Sequence, residues 1–145
     1  MSAVIVDSNV LLDILTEDRR WLSWSSDALE RIANESRIVI NPVIYGQVSI
    51  RFERIEELGE ALPPAIFERE DIPCEAAFLA GKAYLAYRRQ AGTRSSLRPD
   101  FYVGAHAAIR SYRVLTRDVV RYRTPYGRRS TSRQRTDCRR RPSSA

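Results

Sequence analysis

The sequence is short of the residues on which several common architectures depend. It holds 2 cysteines, Cys74 and Cys138, a single histidine, His106, and a single lysine, Lys82, among 145 residues. Two thiols this far apart exclude a disulfide framework and a metal knuckle, and they suit a reducing cytoplasm. Long hydrophobic runs are absent too. Apolar residues make up 43% of the chain but fall in short blocks, so none approaches the roughly 20 residues needed to cross a bilayer. The opening MSAVIVDSNVLLDIL has no basic region ahead of its apolar stretch and carries Asp7 and Asp13. No secretory signal and no membrane association are therefore expected.

The length is that of one domain with a core of its own and one active site. The formal net charge is +6, which suggests a nucleic-acid partner until it is divided along the chain. Residues 1–126 hold 17 basic and 17 acidic residues, whereas 127–145 hold 7 arginines and 1 acid. The whole excess belongs to the tail. RNA binding by the body must then rest on where individual arginines stand, since bulk charge supplies no attraction there.

Periodicity sets out an alternation of strands and helices. AVIV at 3–6 is a short, largely β-branched run that ends in Asp7, and SNVLLDIL follows with helical spacing. Trp21, Trp24, Ala28, Leu29 and Ile32 mark one face of a second helix over about 21–34. RIVIN at 37–41 is the next strand. Pro42 can open a third helix, along which Ile44, Val48, Phe52 and Ile55 make a stripe. The Pro-broken LPPAIFEREDIP is a connection with at most one short strand. Beyond it, Ala77, Ala80, Gly81, Tyr84 and Tyr87 mark a helix, AGTRSSLRP is a loop, Pro99 and Asp100 open another helix through Ile109, and RVLT at 113–116 is a strand. This order implies an α/β fold with a parallel, doubly wound sheet. The stretch from Gly127 on has no apolar periodicity and is expected to be a basic, disordered tail, leaving a domain over 1–126.

Three acids fall at telling places. Asp7 ends the first strand, Asp118 follows the last, and Asp100 opens the helix between. Ligands of open parallel sheets gather at the carboxyl ends of the strands, so the three converge on one edge. Carboxylates gathered there need cations, and Mg²⁺ or Mn²⁺ prefers such oxygen donors. One or two ions of this kind activate water and steady the leaving oxygen in phosphodiester cleavage. Each acid also has a plain structural reading: Asp7 as a helix cap, Asp100 as a first-turn residue favoured by the helix dipole, Asp118 in a turn. Singly that reading leads; jointly the site does.

The strings VIVDSNVLLDIL, INPVIYGQVS, RPDFYVGAHA and LTRDVVRYRT resemble, in order and spacing, the four acidic motifs of PIN-domain ribonucleases of the VapC toxin type. The resemblance runs from residue 3 to about 126. It implies a three-layer sandwich with a central parallel sheet flanked by helices, a Mg²⁺ or Mn²⁺ site, RNA cleavage, an antitoxin partner and a homodimer. It makes Asp7, Asp100 and Asp118 the metal-binding, catalytic carboxylates, with Asn9 and Thr116 in support. Two features depart from the pattern. Gln47 stands where such toxins carry Glu, which makes it a weak ligand without counter-charge. Glu53 cannot replace it on one helix, being six residues away and about 120° around the axis. The pattern also continues past RYRT into a final strand, whereas apolar content here stops at Tyr126, as after a frame change or a replaced terminus.

Other residues admit two readings each. His106 lies about 120° off the Asp100 face of its helix, which favours a structural role over that of a base. Arg117, Arg121 and Arg123, with Arg88 and Arg89, are candidates for RNA phosphate, against solvated surface charge. Trp21 and Trp24 suit core or an interface better than base stacking. The function expected is a Mg²⁺- or Mn²⁺-dependent endoribonuclease; the alternative is a PIN-fold binding module, weakened by Gln47, that holds antitoxin or RNA without cutting. A phosphotransferase of the haloacid-dehalogenase type lacks its acid at Asn9. A response regulator lacks its early acidic pair, and Lys82 lies inside a helix.

Overall fold

The computed structural model describes residues 2–89 and 98–118. Four strands form where β-branched and aliphatic residues cluster: β1 (Ala3–Val6), β2 (Arg37–Ile40), β3 (Phe67–Arg69) and β4 (Arg113–Leu115). Every residue of β1 is buried, which is why AVIV shows no polar alternation. All pairings are parallel, in the order β3-β2-β1-β4. The chain steps outward from β1 to β2 to β3 and then returns to place β4 on the other side of β1. The reversal makes the carboxyl ends of β1 and β4 the switch point of the sheet, where ligands of such folds bind.

Six helices flank the sheet: α1 (Ser8–Leu15), α2 (Leu22–Glu35), α3 (Pro42–Ser49), α4 (Ile55–Ala61), α5 (Cys74–Arg89) and α6 (Pro99–Arg110). The expected α/β fold with a central parallel sheet is therefore the one that forms. Val4, Ile5, Val6, Val10, Ile32 and Ile40 lie in the main apolar core. A second, smaller cluster joins α5 to α6 through Ala76, Ala80, Ala83, Phe101 and Ala105. No helix among the described residues is long and apolar enough to cross a membrane.

Two expectations need correction. The stripe Ile44–Val48–Phe52–Ile55 is not one helix: α3 ends at Ser49, and Arg51 and Phe52 bond back to Val48 and Ser49 in a tightened final turn. Phe52 still folds onto the core, while Ile55 starts α4 at 70% exposure. On α5 the packing face is Ala76, Ala80 and Ala83, with Ala77 exposed. The helix begins at Cys74, three residues earlier than its small residues suggested. Most of the AGTRSSLRP loop, the boundary at 126 and the basic tail lie outside the described residues.

Candidate active site

Asp7 stands at the switch point because β1 ends one residue before it. Its backbone N–H continues the ladder to Leu115 O at 2.9 Å, and its carboxylate caps α1 by accepting from Ser8 N at 2.8 Å. The capping reading is thus realised. The second oxygen, Oδ2, accepts from Thr116 Oγ1 at 3.0 Å. Thr116 in turn accepts from Asn9 Nδ2 at 3.1 Å and from the Asp118 backbone N–H at 3.1 Å. A hydroxyl has one donor and two acceptor positions, and here all three are used. Buried Thr116 ties Asp7, Asn9 and the Asp118 backbone into one unit.

Asp100 enters from α6. A helix crossing over between parallel strands runs against them, so its first turn belongs to the carboxyl-edge side of the sheet. Helix α6 packs on β1, β4 and α3. The Asp100 carboxylate meets Arg98 Nε at 3.1 Å, with the two side chains 15% and 23% exposed. Arg98 is a residue that sequence reasoning passed over. The only available signal was its place two residues ahead of Asp100 in RPD.

Gln47 lies near the end of α3, and its Oε1 is buried with no hydrogen-bond partner among the described residues; so is Asn9 Oδ1. An unpaired buried carbonyl costs about 1–3 kcal/mol. Each such atom would therefore be stabilised by an electrophilic partner. Glu53 is exposed and lies beyond the end of α3.

Among the described residues no group of three or more His, Cys, Asp or Glu side chains is close enough to hold a metal ion. The donor chemistry nonetheless fits a hard cation. Thr116 ties the Asp7 carboxylate to the backbone of Asp118, and Asn9 and Gln47 carry buried amide oxygens; carboxylate and amide oxygens are the ligand types Mg²⁺ and Mn²⁺ take.

Of the arginines considered for phosphate, Arg117 is engaged by the fold. Its Nε lies 3.0 Å from Asp13 Oδ2, and its guanidinium covers the Trp21 ring at 5.1 Å. Asp13 is held also by Ser25 Oγ at 2.8 Å. Burial pushes the Asp13 carboxyl above its usual range, against the pull of Ser25 and Arg117. Trp21 meets Trp24 edge to face, and Trp24 packs on the main core. Arg88 Nη1 donates to Tyr84 OH at 3.3 Å, and Arg89 is exposed. Arg121 and Arg123 lie outside the described residues. A cavity of about 280 Å³ opens beside the carboxyl ends of β2 and β3, lined by Asn41, Tyr45, Ile55, Arg69, Glu70 and Asp71 among others. None of these is a carboxylate singled out from the sequence.

The PIN domain family model matches residues 4–125. No curated protein matches the chain. Among solved structures, it is similar to VapBC2 from Rickettsia felis bound to a DNA fragment from its promoter, with 13% identity and a TM-score of 0.64, over 81% of this chain and 89% of that one. It is similar also to FitAcB from Neisseria gonorrhoeae, with 15% identity and a TM-score of 0.61, over 82% of this chain and 90% of that one. At these identities the likeness is one of fold.

Proposed function

From the membership of this chain in the PIN domain family, we propose that it is a Mg²⁺- or Mn²⁺-dependent endoribonuclease, the toxin of a type II toxin–antitoxin pair, working in the cytoplasm. The observation that carries the reading is the Thr116 hub, which joins Asp7, Asn9 and the Asp118 backbone at the switch point of the sheet. Asp7, Asp100 and Asp118 would hold the cation, with Gln47 as a weak fourth ligand. A bound divalent ion supplies Lewis-acid polarisation of a phosphodiester and a counter-charge for its leaving oxygen.

The protein's own part is placement. Thr116 holds the Asp7 carboxylate to one orientation, and Asn9 braces Thr116. Arg98 neutralises Asp100 at 3.1 Å. Arg121 and Arg123, with whatever part of Arg117 its pairing with Asp13 leaves available, are the residues for RNA phosphate. The similarity of fold to VapBC2 supports an antitoxin partner, and a homodimer goes with the same family reading. The domain would span 1–126, with 127–145 as a basic tail that adds salt-sensitive RNA retention.

Gln47 favours one other reading, a PIN-fold binding module that holds antitoxin or RNA without cutting it. Purified protein incubated with total RNA, with and without Mn²⁺ and beside Asp7→Asn, separates the two. Cleavage that needs the metal and disappears in Asp7→Asn is the expected result. RNA retained intact under every condition would establish the binding module instead.

A further inference from the structure

His106 is the chain's single histidine and is fully buried. Its two ring nitrogens have partners on two different elements. Nε2 lies 2.9 Å from Glu70 Oε1, one residue past β3. Nδ1 lies 3.1 Å from Asn41 Nδ2, between β2 and α3. The Asn41 amide cannot turn freely, because its Oδ1 accepts from Ile44 N at 3.0 Å and so caps α3. The NH₂ group must then be what faces His106, and Nδ1 must be the accepting nitrogen. Glu70 imposes the same assignment from the other side. It also takes Tyr112 OH at 2.7 Å and Arg110 Nε at 3.2 Å, an arrangement of donors that suits an ionised carboxylate and makes Nε2 the protonated nitrogen. Two independent constraints select one neutral tautomer.

We infer that His106 is a positioning residue for the active site: as the neutral Nε2–H tautomer it locks the N-cap of α3, the helix of Gln47, to α6, the helix of Asp100, and a second proton on Nδ1 releases that lock. A proton on Nδ1 would oppose the Asn41 NH₂. Turning the amide to meet it would set the NH₂ against Ile44 N–H and so remove the cap. The ring is buried, but Asn41 and Glu70 both line the cavity beside β2 and β3, which gives water and protons a way in. The charged and titratable groups around it are Glu70 from the β3 end, Arg110 on α6, and Tyr112 ahead of β4, with Arg37 of β2 acting on Tyr112. Glu70 favours a charged ring and the Asn41 cap opposes it, so the cap is what protonation disrupts.

The inference rests on the nuclease reading only for its consequence at the metal site, and the test separates the two. In full-length protein, nitrogen-15 NMR of the one histidine should show Nε2 protonated and Nδ1 bare at neutral pH. Over a pH titration carried down until the spectrum shows Nδ1 protonated, the exchange protection of the Ile44 amide, corrected for intrinsic rates, should drop about five- to tenfold, the change a lost N-cap produces. Mn²⁺ affinity and RNA cleavage should fall with it. Asn41→Asp keeps a capping oxygen and presents a second oxygen to Nδ1, so Ile44 protection in that variant should no longer respond to this titration, which a merely structural role would not produce. A protonated Nδ1 at neutral pH, or an unchanged pH response in Asn41→Asp, overturns the inference. The expected tautomer and protection with RNA uncut at every pH would uphold the lock and overturn the nuclease.

Discussion

Thr116 Oγ1 donates to Asp7 Oδ2 at 3.0 Å across 109 residues of sequence, while Asn9 and the Asp118 backbone donate to it. Replacing the hydroxyl with a methyl keeps the shape and removes all three bonds. Thr116→Val should therefore lower stability by about 1–3 kcal/mol, read as a drop of roughly 3–5 °C in Tm per kcal/mol for a domain of this size. Cleavage should fall further than stability, since Asp7 loses its orientation. Thr116→Ser should recover most of both; a valine variant as stable and active as the wild type would show that the packing matters and the hub does not.

Metal should stabilise the fold. A ligand that binds only the native state adds RT ln(1 + [L]/Kd), about 2.7 kcal/mol at a hundredfold excess over Kd. Millimolar Mn²⁺ or Mg²⁺ should raise the Tm of the wild type and leave Asp7→Asn and Asp100→Asn nearly unmoved. A rise of equal size in all three proteins would place the ion somewhere other than this site.

Gln47→Glu should have opposite effects with and without metal. Gln47 Oε1 is buried and has no partner among the described residues, so a carboxylate there should carry an uncompensated charge in the metal-free protein and lower its Tm. With Mn²⁺ present the same charge adds roughly 1–3 kcal/mol of attraction, a ten- to hundredfold tighter Kd. Calorimetry on the wild type, Gln47→Glu and Gln47→Ala decides the matter. Equal affinities for Glu and Ala would remove Gln47 from the ligand set.

Glu70 contributes to stability on the acid side. Burial alone would raise its carboxyl, but the hydrogen bonds from His106 and Tyr112 and the charge of Arg110 hold it below the usual range. A carboxylate depressed in the folded state stabilises above its unfolded pKa, about 4, and that contribution is lost as pH falls through the lower folded value. Glu70→Gln should thus be less stable at neutral pH by about 1.5–3 kcal/mol and should lose less on acidification. Urea melts between pH 3 and 7 give both slopes, and parallel curves for the two proteins would exclude Glu70 as the titrating group.

What the sequence by itself determined is the local part of this protein. The β-branched blocks became strands, Asn41–Pro42 became the capped start of α3, and Asp7 and Asp100 came to the strand end and helix start that their neighbours dictate. These follow from propensity, capping and periodicity within a few residues of each position. Helix ends were less legible, as the break of α3 at Ser49 shows, because a closing turn is set by bonds such as Phe52 N to Ser49 O that periodicity does not encode. Tertiary structure alone decided which polar groups meet. The family resemblance grouped Thr116 and Asn9 with Asp7 but not the bonds between them, nothing near Arg117 announces Asp13 and Trp21, and His106 gives no sign of Asn41 and Glu70. Each of these unions pairs side chains distant in sequence, whose partners are set by sheet order and helix packing, because a buried polar atom must find a partner wherever the fold supplies one.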